Sequence, residues 1–498
     1  MEIYSAIEAV VGRAYCINLI DTEDKIYARN QIMSLLALND FPEQVTINGE
    51  FDIPELLDVL IEFAIDKNII DDLQAEREIL STKIMNIFLP RPSDVNKEFY
   101  EKYSVKPVEA TNYFYKLSRD SNYIQTRSIA KNINYVTETH YGQLDITINL
   151  SKPEKDPRQI AREREMKTPS SHYHYPKCLL CIENEGYEGR VNHPARSNHR
   201  IIPLTLANES WYFQYSPYVY YDEHCIILSA EHRDMKIDRG AFSRLLEFVE
   251  KFPHYFLGSN ADLPIIGGSI LTHDHYQGGN YEFAMARAKD DYPFSLRDYP
   301  SIQASVVHWP MSVIRLRGKD RDELVDAADM ILVRWIDYSD LEVNILAYTE
   351  GTRHNTITPI ARMRNKQYEL DLVLRNNRTN EEHPLGIFHP HKNVQHIKKE
   401  NIGLIEVMGL AVLPARLATE LVEIEKFLLG ESQEVREYHL PWAIELQERY
   451  GTSINRDSVT EIVRKEVGFK FLRCLEDAGV FKRDEKGQTA FRRFIEQL

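Results

Sequence analysis

Cysteine is scarce in this sequence, with five among 498 residues. An odd and sparse set argues against a disulfide framework, so any clustered pair is better explained as part of a metal site. Long apolar runs are also missing, because no stretch approaches the roughly 20 residues that span a bilayer. The first residues lack a basic segment followed by an apolar one, as a secretory leader would have. We therefore expect a cytoplasmic protein that does not enter a membrane.

Positive charge is in deficit along the chain. The sequence has 60 Lys and Arg against 76 Asp and Glu, with a net charge of −16 and a pI near 5.6. This balance disfavours binding of nucleic acid or anionic lipid through a broad basic surface, so an anionic ligand needs a local basic pocket. The remaining composition, 43% hydrophobic and 27% charged, is that of a globular protein whose length predicts more than one compact unit.

Two kinds of hydrophobic pattern divide the chain. Up to about residue 103 the apolar residues recur at spacings of three and four, which predicts amphipathic helices. Alternation at 144–150 predicts a half-buried strand, and the aromatic run at 211–227 predicts two adjacent antiparallel strands. Further helices are predicted at 238–251 and 320–336, and further strands at 305–308, 312–316 and 368–374.

The order strands, helix, strands thus occurs twice, around 141–290 and 300–378. The pattern predicts an α+β fold with two antiparallel-sheet halves of related topology. We expect four regions: a helical N-terminal region at 1–105, a catalytic half at 106–295, a second half at 296–425, and a helical C-terminal tail at 426–498.

The sharpest local motif is Gly-Gly-Ser-Ile-Leu-Thr-His-Asp-His-Tyr-Gln, which spans 267–277. On an extended chain His273 and His275 point to the same face, so both imidazoles can line one site. A neutral imidazole is able to attack phosphorus without a separate base, and Gln277 could then hold a phosphoryl oxygen. A pair of histidines in a glycine-rich turn is the plainer alternative.

Cys178 and Cys181 are separated by two residues, a spacing that supplies half of a tetrahedral zinc site. The remaining ligands must come from elsewhere, and the candidates are His232 and one member of the His273 and His275 pair. A dithiol redox pair is another use of this spacing, although the surrounding sequence is not thioredoxin-like. Two buried reduced cysteines without a function are a third interpretation.

Together these pieces resemble a known family. The order CxxC, aromatic strands ending at a histidine, a helix, and GGS-x3-HxHxQ is that of the galactose-1-phosphate uridylyltransferases, relatives of the histidine-triad nucleotide hydrolases and transferases. The segments YGQLDITINLSKPEKDP, FQYSPYVYYDEH, HNTITPIAR and HPHKNVQHIKKENIGLIEVMGLAVLPARL are similar to the second, bacterial class. The resemblance covers nearly the whole chain and implies two histidine-triad-like halves.

The resemblance implies a ping-pong reaction of the Leloir pathway of galactose metabolism. UDP-glucose donates UMP to a histidine, glucose 1-phosphate leaves, and galactose 1-phosphate collects the UMP. By position in the motif, His275 is the implied nucleophile and Gln277 the implied contact of the phosphoryl group. His273 would bind a structural zinc ion, with the other ligands Cys178, Cys181 and His232.

Substrate binding is implied at a second set of residues. Gly268 and Ser269 precede the histidine pair, where a backbone amide and a hydroxyl suit phosphate oxygens. Asn260 would reach the same nucleotide by resemblance. Lys152 and Lys155 occupy about the place of an arginine-bearing nucleotide loop in the better-known class, but their residue types differ from those of that class.

One departure from the family pattern is informative. The better-known class has a second metal site with an HxH motif on a late strand, whereas the matching strand here reads Tyr-Glu-Leu-Asp-Leu-Val-Leu-Arg at 368–375. We therefore predict no second metal. Related enzymes form dimers, so a homodimer is an open expectation.

The sequence thus predicts a nucleotidyltransferase that exchanges UMP between UDP-glucose and galactose 1-phosphate. Two alternatives stay open. One is a hydrolase or phosphorylase of dinucleoside polyphosphates, which would use the same histidine chemistry with another acceptor. The other is a zinc-stabilised binding protein without enzymatic activity.

Overall fold

The computed structural model describes residues 1–47, 49–151, 174–268 and 270–498, and the fold is α+β as predicted. Helices occupy both ends of the chain, and the strands between them form one large antiparallel sheet and two small sheets. Within the described residues, no helix combines the length and the apolar character needed to cross a bilayer.

The N-terminal region is helical, with a hydrophobic core of its own among its first four helices. Asp52 caps the third helix through the amide of Glu55, and Pro54 lies in its first turn, where a missing N–H costs nothing. The helices continue beyond residue 105, the end of the predicted N-terminal region. Their bounds are α1 Ile3–Cys16, α2 Lys25–Leu35, α3 Ile53–Asp66, α4 Gln74–Asn86, α5 Pro92–Val105, α6 Pro107–Asp120 and α7 Thr126–Ile129.

The remaining described elements are strands in the middle of the chain, with helices between and after them. The strands are β1 Ile133–Thr139, β2 Gly142–Ile148, β3 Ile202–Leu206, β4 Glu209–Tyr215, β5 Cys225–Ser229, β6 Phe256–Gly258, β7 His275–Gly279, β8 Asp290–Phe294, β9 Gln303–Val307, β10 Val313–Gly318, β11 Tyr348–Thr349, β12 Thr352–Arg353, β13 Asn355–Arg364, β14 Gln367–Asn376 and β15 Leu410–Leu413. The helices are α8 Arg239–Lys251, α9 Ala284–Arg287, α10 Arg321–Ile336, α11 Leu404–Val407, α12 Leu417–Leu428, α13 Leu440–Tyr450, α14 Val459–Ala478 and α15 Glu485–Ile495.

The large sheet has the strand order β3-β4-β5-β7-β6-β13-β14-β10-β9-β8. Each half contributes five strands to this sheet. Counted inwards from the outer edge of its half, the strands come in the same order in both halves: first, second, third, fifth and fourth along the chain. The long helix of each half, α8 or α10, comes between the third and fourth strands. The predicted duplication of topology is therefore confirmed.

The two halves share one sheet, because β6 pairs with β13 and joins their strands into a ten-stranded sheet. One detail of the prediction is wrong. The strand predicted at 144–150 is present as β2, but it lies outside the repeat. It pairs with β1 and with β15, in a small sheet completed by a strand from beyond residue 400. The pairings of β6 with β13 and of β2 with β15 join segments far apart in the chain, so local pattern could not reveal them.

The two faces of the large sheet have different roles. One face carries a hydrophobic core against which α8 and α10 pack. In this core Tyr276 stacks on Trp211, with ring centroids 5.0 Å apart. Asp238 caps α8 through the amide of Ala241, at the predicted start of this helix. Because side chains alternate along a strand, His275 and Gln277 point to the opposite face from Tyr276. Strand β7 therefore presents both predicted reactive side chains on one surface.

Candidate functional site

Four side chains converge into a cluster that could hold a metal ion. The ligand atoms of Cys178, Cys181, His232 and His273 all lie within 4.8 Å of one another. The Sγ atoms of the cysteines are 3.5 Å apart, Nδ1 of His273 is 3.2 Å from the Cys178 Sγ, and Nδ1 of His232 is 3.2 Å from the Cys181 Sγ. The four residues implied as zinc ligands are thus together in space.

This geometry suits a tetrahedral ion. Metal bonds of about 2.0 to 2.3 Å at tetrahedral angles place ligand atoms roughly 3.3 to 3.8 Å apart. A hydrogen bond from Cys181 lowers the pKa of the Cys178 thiol to about 7, and the same interaction raises the pKa of Cys181 to about 11. The pair therefore already favours one thiolate, which is the metal-binding form of cysteine.

The backbone around the cluster fixes the orientation of its ligands. The Nε2–H of His273 donates to the carbonyl of Ser229 at 2.9 Å, which leaves Nδ1 unprotonated and directed at the thiols. A partner on the second ring nitrogen is the usual way in which proteins orient a metal-bound histidine. The side-chain amide of Asn184 donates to the carbonyls of Cys178 and Cys181 and so holds their turn.

The loop that carries the histidine pair is hydrogen-bonded to the segment that carries His232. The amide of Asp274 donates to the carbonyl of Arg233 at 2.7 Å, and the amide of Ser229 donates to the carbonyl of Asp274 at 3.0 Å. The buried Asp274 carboxylate also accepts from the Arg233 guanidinium at 3.3 Å. Burial raises the pKa of Asp274 to about 6 despite this partner. Sequence reasoning missed these contacts, because they join residues that are far apart in the chain and most of them are formed by backbone groups.

His275 begins β7 and is 6% exposed. Its Nδ1–H donates to the carbonyl of His273 at 2.8 Å, so the Nε2 lone pair is free. Burial lowers the pKa of His275 to about 4, which keeps the ring neutral at pH 7. A neutral imidazole with a free Nε2 is chemically suited to act as a nucleophile. The backbone carbonyl that accepts this hydrogen bond belongs to His273, a member of the metal cluster.

Gln277 lies two residues beyond His275 on the same face of β7. Its Oε1 accepts a hydrogen bond from Nε2–H of His224 at 3.1 Å. Since the carbonyl end is occupied in this way, the amide N–H groups are the free end of the side chain. His224 is 3% exposed, and burial lowers its pKa to about 4. Sequence analysis assigns no role to His224, which ends the aromatic segment Tyr-Tyr-Asp-Glu-His directly before β5.

Of the predicted substrate-binding residues, two lie in contact. A Cβ at Gly268 would approach Nδ2 of Asn260 to 2.6 Å, so only glycine allows this approach. The Oδ1 of Asn260 accepts from the amide of Leu404 at 2.9 Å, which connects the loop before the histidines to α11. Ser269, Lys152 and Lys155 lie outside the described residues.

The strand of the second half that corresponds to β7 is β14, and it carries a cluster of ion pairs. On β14, the fifth strand of its half, Glu369 and Asp371 are buried. Arg315 donates to Asp371 at 2.6 Å, and Arg362 donates to Glu369 at 2.6 Å and also to Asp371. Burial alone would raise the pKa of Asp371, but the two arginines outweigh it and hold the pKa at about 2. This strand therefore has the chemistry of a structural ion pair.

Comparison with protein families covers most of the chain. The family described as "Galactose-1-phosphate uridyl transferase, N-terminal domain" matches residues 18–234, and the corresponding C-terminal domain matches residues 247–444. Together these matches include His275, Gln277 and all four members of the metal cluster.

Individual relatives match over nearly their full length. The chain is 53% identical to a galactose-1-phosphate uridylyltransferase of Clostridium perfringens, over 97% of this chain and 96% of the relative. It is 51% identical to galactose-1-phosphate uridylyltransferase 1 of Streptococcus pneumoniae serotype 4, over 99% of both chains. Among solved structures, yeast Ap4A phosphorylase Apa2 in complex with Ap4A overlaps 76% of this chain and 97% of its own, with 10% identity and a TM-score of 0.34.

Proposed function

The chain belongs to the galactose-1-phosphate uridyl transferase family, and we propose that it transfers UMP from UDP-glucose to galactose 1-phosphate through a covalent uridylyl-His275. It is therefore a nucleotidyltransferase of galactose metabolism, the Leloir pathway. The observation that carries the proposal is the single hydrogen bond that leaves Nε2 of a buried, neutral His275 free beside Gln277.

In the first step, the Nε2 lone pair of His275 attacks the α-phosphorus of UDP-glucose. A P–N bond forms, the P–O bond to the β-phosphate breaks, and glucose 1-phosphate leaves with the electron pair. The imidazole becomes positively charged, and the carbonyl of His273, which accepts the Nδ1–H at 2.8 Å, stabilises that charge. In the second step, a phosphate oxygen of galactose 1-phosphate attacks the same phosphorus, and the P–N electron pair returns to Nε2.

Gln277 has a supporting role in both steps. With its carbonyl held by His224, its amide N–H group is available to donate to a phosphoryl oxygen whose negative charge grows in the transition state. We assign His224 as a positioning residue, since it acts on the substrate only through Gln277.

The metal is proposed to be zinc, held by the two cysteines with His232 and His273. Two thiolates and two imidazoles make a closed tetrahedral set, which is typical of structural zinc. A bound zinc ion would supply rigid bonds to the loop that precedes His275. The backbone carbonyl of His273 also accepts the hydrogen bond from Nδ1–H of His275, so a fixed loop fixes the direction of the His275 Nε2.

We propose that Gly268, Ser269 and Asn260 bind the nucleotide phosphates, with Lys152 and Lys155 as further cationic contacts. The close approach of Gly268 to Asn260 supports a joint role for this pair. We propose that the protein acts in the cytoplasm. By analogy with related enzymes, we also propose that it forms a homodimer.

Product analysis tests the proposed function. UDP-galactose should form only when UDP-glucose and galactose 1-phosphate are both supplied. Water and inorganic phosphate should be poor acceptors. Release of UMP to water, or cleavage of a dinucleoside polyphosphate at a comparable rate, would favour a hydrolase or phosphorylase. Absence of any turnover would favour a zinc-stabilised binding protein.

A further inference from the structure

A cavity of about 710 Å³ lies among the C-terminal helices. We call it the C-terminal cavity. It is bounded by the segment 392–399, by the start of α13 and by Lys470 of α14. In the described part of the chain, none of the residues that line it comes from β5, β6 or β7. Its volume is that of a small-molecule site.

Positive charge predominates in the lining of the C-terminal cavity. Its lining has four cationic side chains, Lys392, Lys399, Arg416 and Lys470, and one carboxylate, Glu445; of the cations, Arg416 is paired with the Glu420 carboxylate. Lys392 and Lys399 are exposed, and neither makes an ion pair with a described residue. In a chain with a net charge of −16, such a local excess of cations marks a site for an anion.

Two buried polar atoms of the lining have no hydrogen-bond partner among the described residues. Trp442 is 3% exposed, and its indole Nε1–H makes no hydrogen bond. The Nε2 atom of His396 is also buried without a partner. Because buried polar groups in native proteins are nearly always satisfied, a ligand or water is expected to supply the missing partners.

A chain of hydrogen bonds fixes the proton positions of His396. The Nε2–H of His439 donates to the Glu420 carboxylate at 3.0 Å, so its Nδ1 is left as an acceptor. His396 then donates its Nδ1–H to His439 at 2.8 Å, and its own Nε2 keeps a lone pair. Burial, and next the neighbouring His439, lower the pKa of His396 to about 3. The C-terminal cavity thus offers one acceptor, one N–H donor and several cations.

We propose that the C-terminal cavity binds a phosphorylated sugar at a site separate from His275. The phosphate lies against Lys392 and Lys399, a sugar hydroxyl donates to Nε2 of His396, and a sugar oxygen accepts from Nε1–H of Trp442. The exposed ring of Tyr438, which has the Arg416 guanidinium 5.7 Å from its centroid, offers a flat surface for the ligand ring. A hexose phosphate and a nucleotide share this chemistry. The inference does not depend on the proposed function, because it uses none of the residues of the His275 site.

Equilibrium dialysis of the full-length chain tests the inference with three probes: galactose 1-phosphate, UMP and inorganic phosphate. We expect one of the two organic probes to bind one equivalent in the C-terminal cavity, in addition to any binding at the His275 site, and that probe identifies the ligand as a hexose phosphate or a nucleotide. The double variant Lys392→Gln with Lys399→Gln should weaken one equivalent at least tenfold. Lys131→Gln with Lys486→Gln, the same charge change at exposed positions outside the cavity, should weaken neither.

Trp442→Phe provides a second test, because it keeps an aromatic ring and removes only the N–H donor. It should weaken binding of the organic probe several-fold for the equivalent that the lysine double variant also weakens. Binding of both organic probes that the lysine double variant leaves unchanged would overturn the proposal. Loss of both equivalents in the lysine double variant would also overturn it, because the cavity would then belong to the His275 site. Binding of inorganic phosphate as tight as that of the organic probes would overturn the assignment of a sugar ligand, because the cavity would then be a simple anion site.

Discussion

The hydrogen bond between His224 and Gln277 gives a quantitative prediction about catalysis. His224→Phe removes the Nε2–H that holds the Gln277 carbonyl at 3.1 Å, but it keeps a ring against Tyr221, whose centroid lies 4.6 Å away. A neutral hydrogen bond of this kind contributes about 0.5–1.5 kcal/mol. Since about 1.4 kcal/mol corresponds to a tenfold change in rate, kcat should fall by roughly 2- to 12-fold.

A double-mutant cycle separates orientation from simple damage. Gln277→Ala removes the donor to the phosphoryl group and should lower kcat on the order of 100-fold. In that background His224→Phe should change kcat by less than about twofold, because no amide is left to orient. The assay is UDP-galactose formation at saturating concentrations of both substrates.

His254→Phe is the matched control. It also replaces a largely buried histidine that forms one hydrogen bond, here with the Thr111 hydroxyl at 2.9 Å. Because His254 does not contact Gln277, this variant should keep kcat within about twofold of the unmodified chain. Equal losses from His224→Phe in the presence and absence of Gln277 would refute the orienting role.

Three further predictions follow from buried contacts. Cys178→Ser with Cys181→Ser should abolish bound zinc, measured by metal analysis, and lower Tm by roughly 10 °C; an unchanged zinc content would contradict the ligand set. The pKa of Asp371 is depressed to about 2, so its contribution to stability is present above about pH 4 and is lost as the pH falls towards 2. Asp371→Asn should lower the free energy of unfolding at pH 7 by about 3–5 kcal/mol in urea titrations, and equal stability would refute this. Gly268→Ala should raise KM for UDP-glucose about tenfold by displacing Asn260, whereas Gly12→Ala, which meets no atom within 4 Å, should not.

Much of the candidate site was predictable from sequence because its chemistry is concentrated in short motifs. The CxxC spacing of Cys178 and Cys181 indicated half of a metal site, and the HxHxQ motif indicated a shared face for His275 and Gln277. The choice of His232 as a ligand rested on the family resemblance, since no local pattern joins it to residues about fifty positions earlier. The geometry brings all four metal-cluster residues together.

Other parts of the site could not be predicted from sequence, for physical reasons. The acceptor for His273 is the backbone carbonyl of Ser229, and every residue type offers such a carbonyl. His224 is positioned by the pairing of β5 with β7, a contact between segments separated by a whole helix. The union of both halves in one sheet depends on the pairing of Gly258 with Ile360, about one hundred residues apart. Alternation identifies a strand, but not its neighbour.

The central claim is that His275 carries the transferred uridylyl group, and intact-protein mass spectrometry tests it directly. Incubated with UDP-glucose and no acceptor, the chain should gain the mass of one uridylyl group and release one glucose 1-phosphate. His254→Phe, which also removes an imidazole, should gain the same mass, whereas His275→Ala should gain nothing. An adduct that persists in His275→Ala would contradict the assignment of the nucleophile.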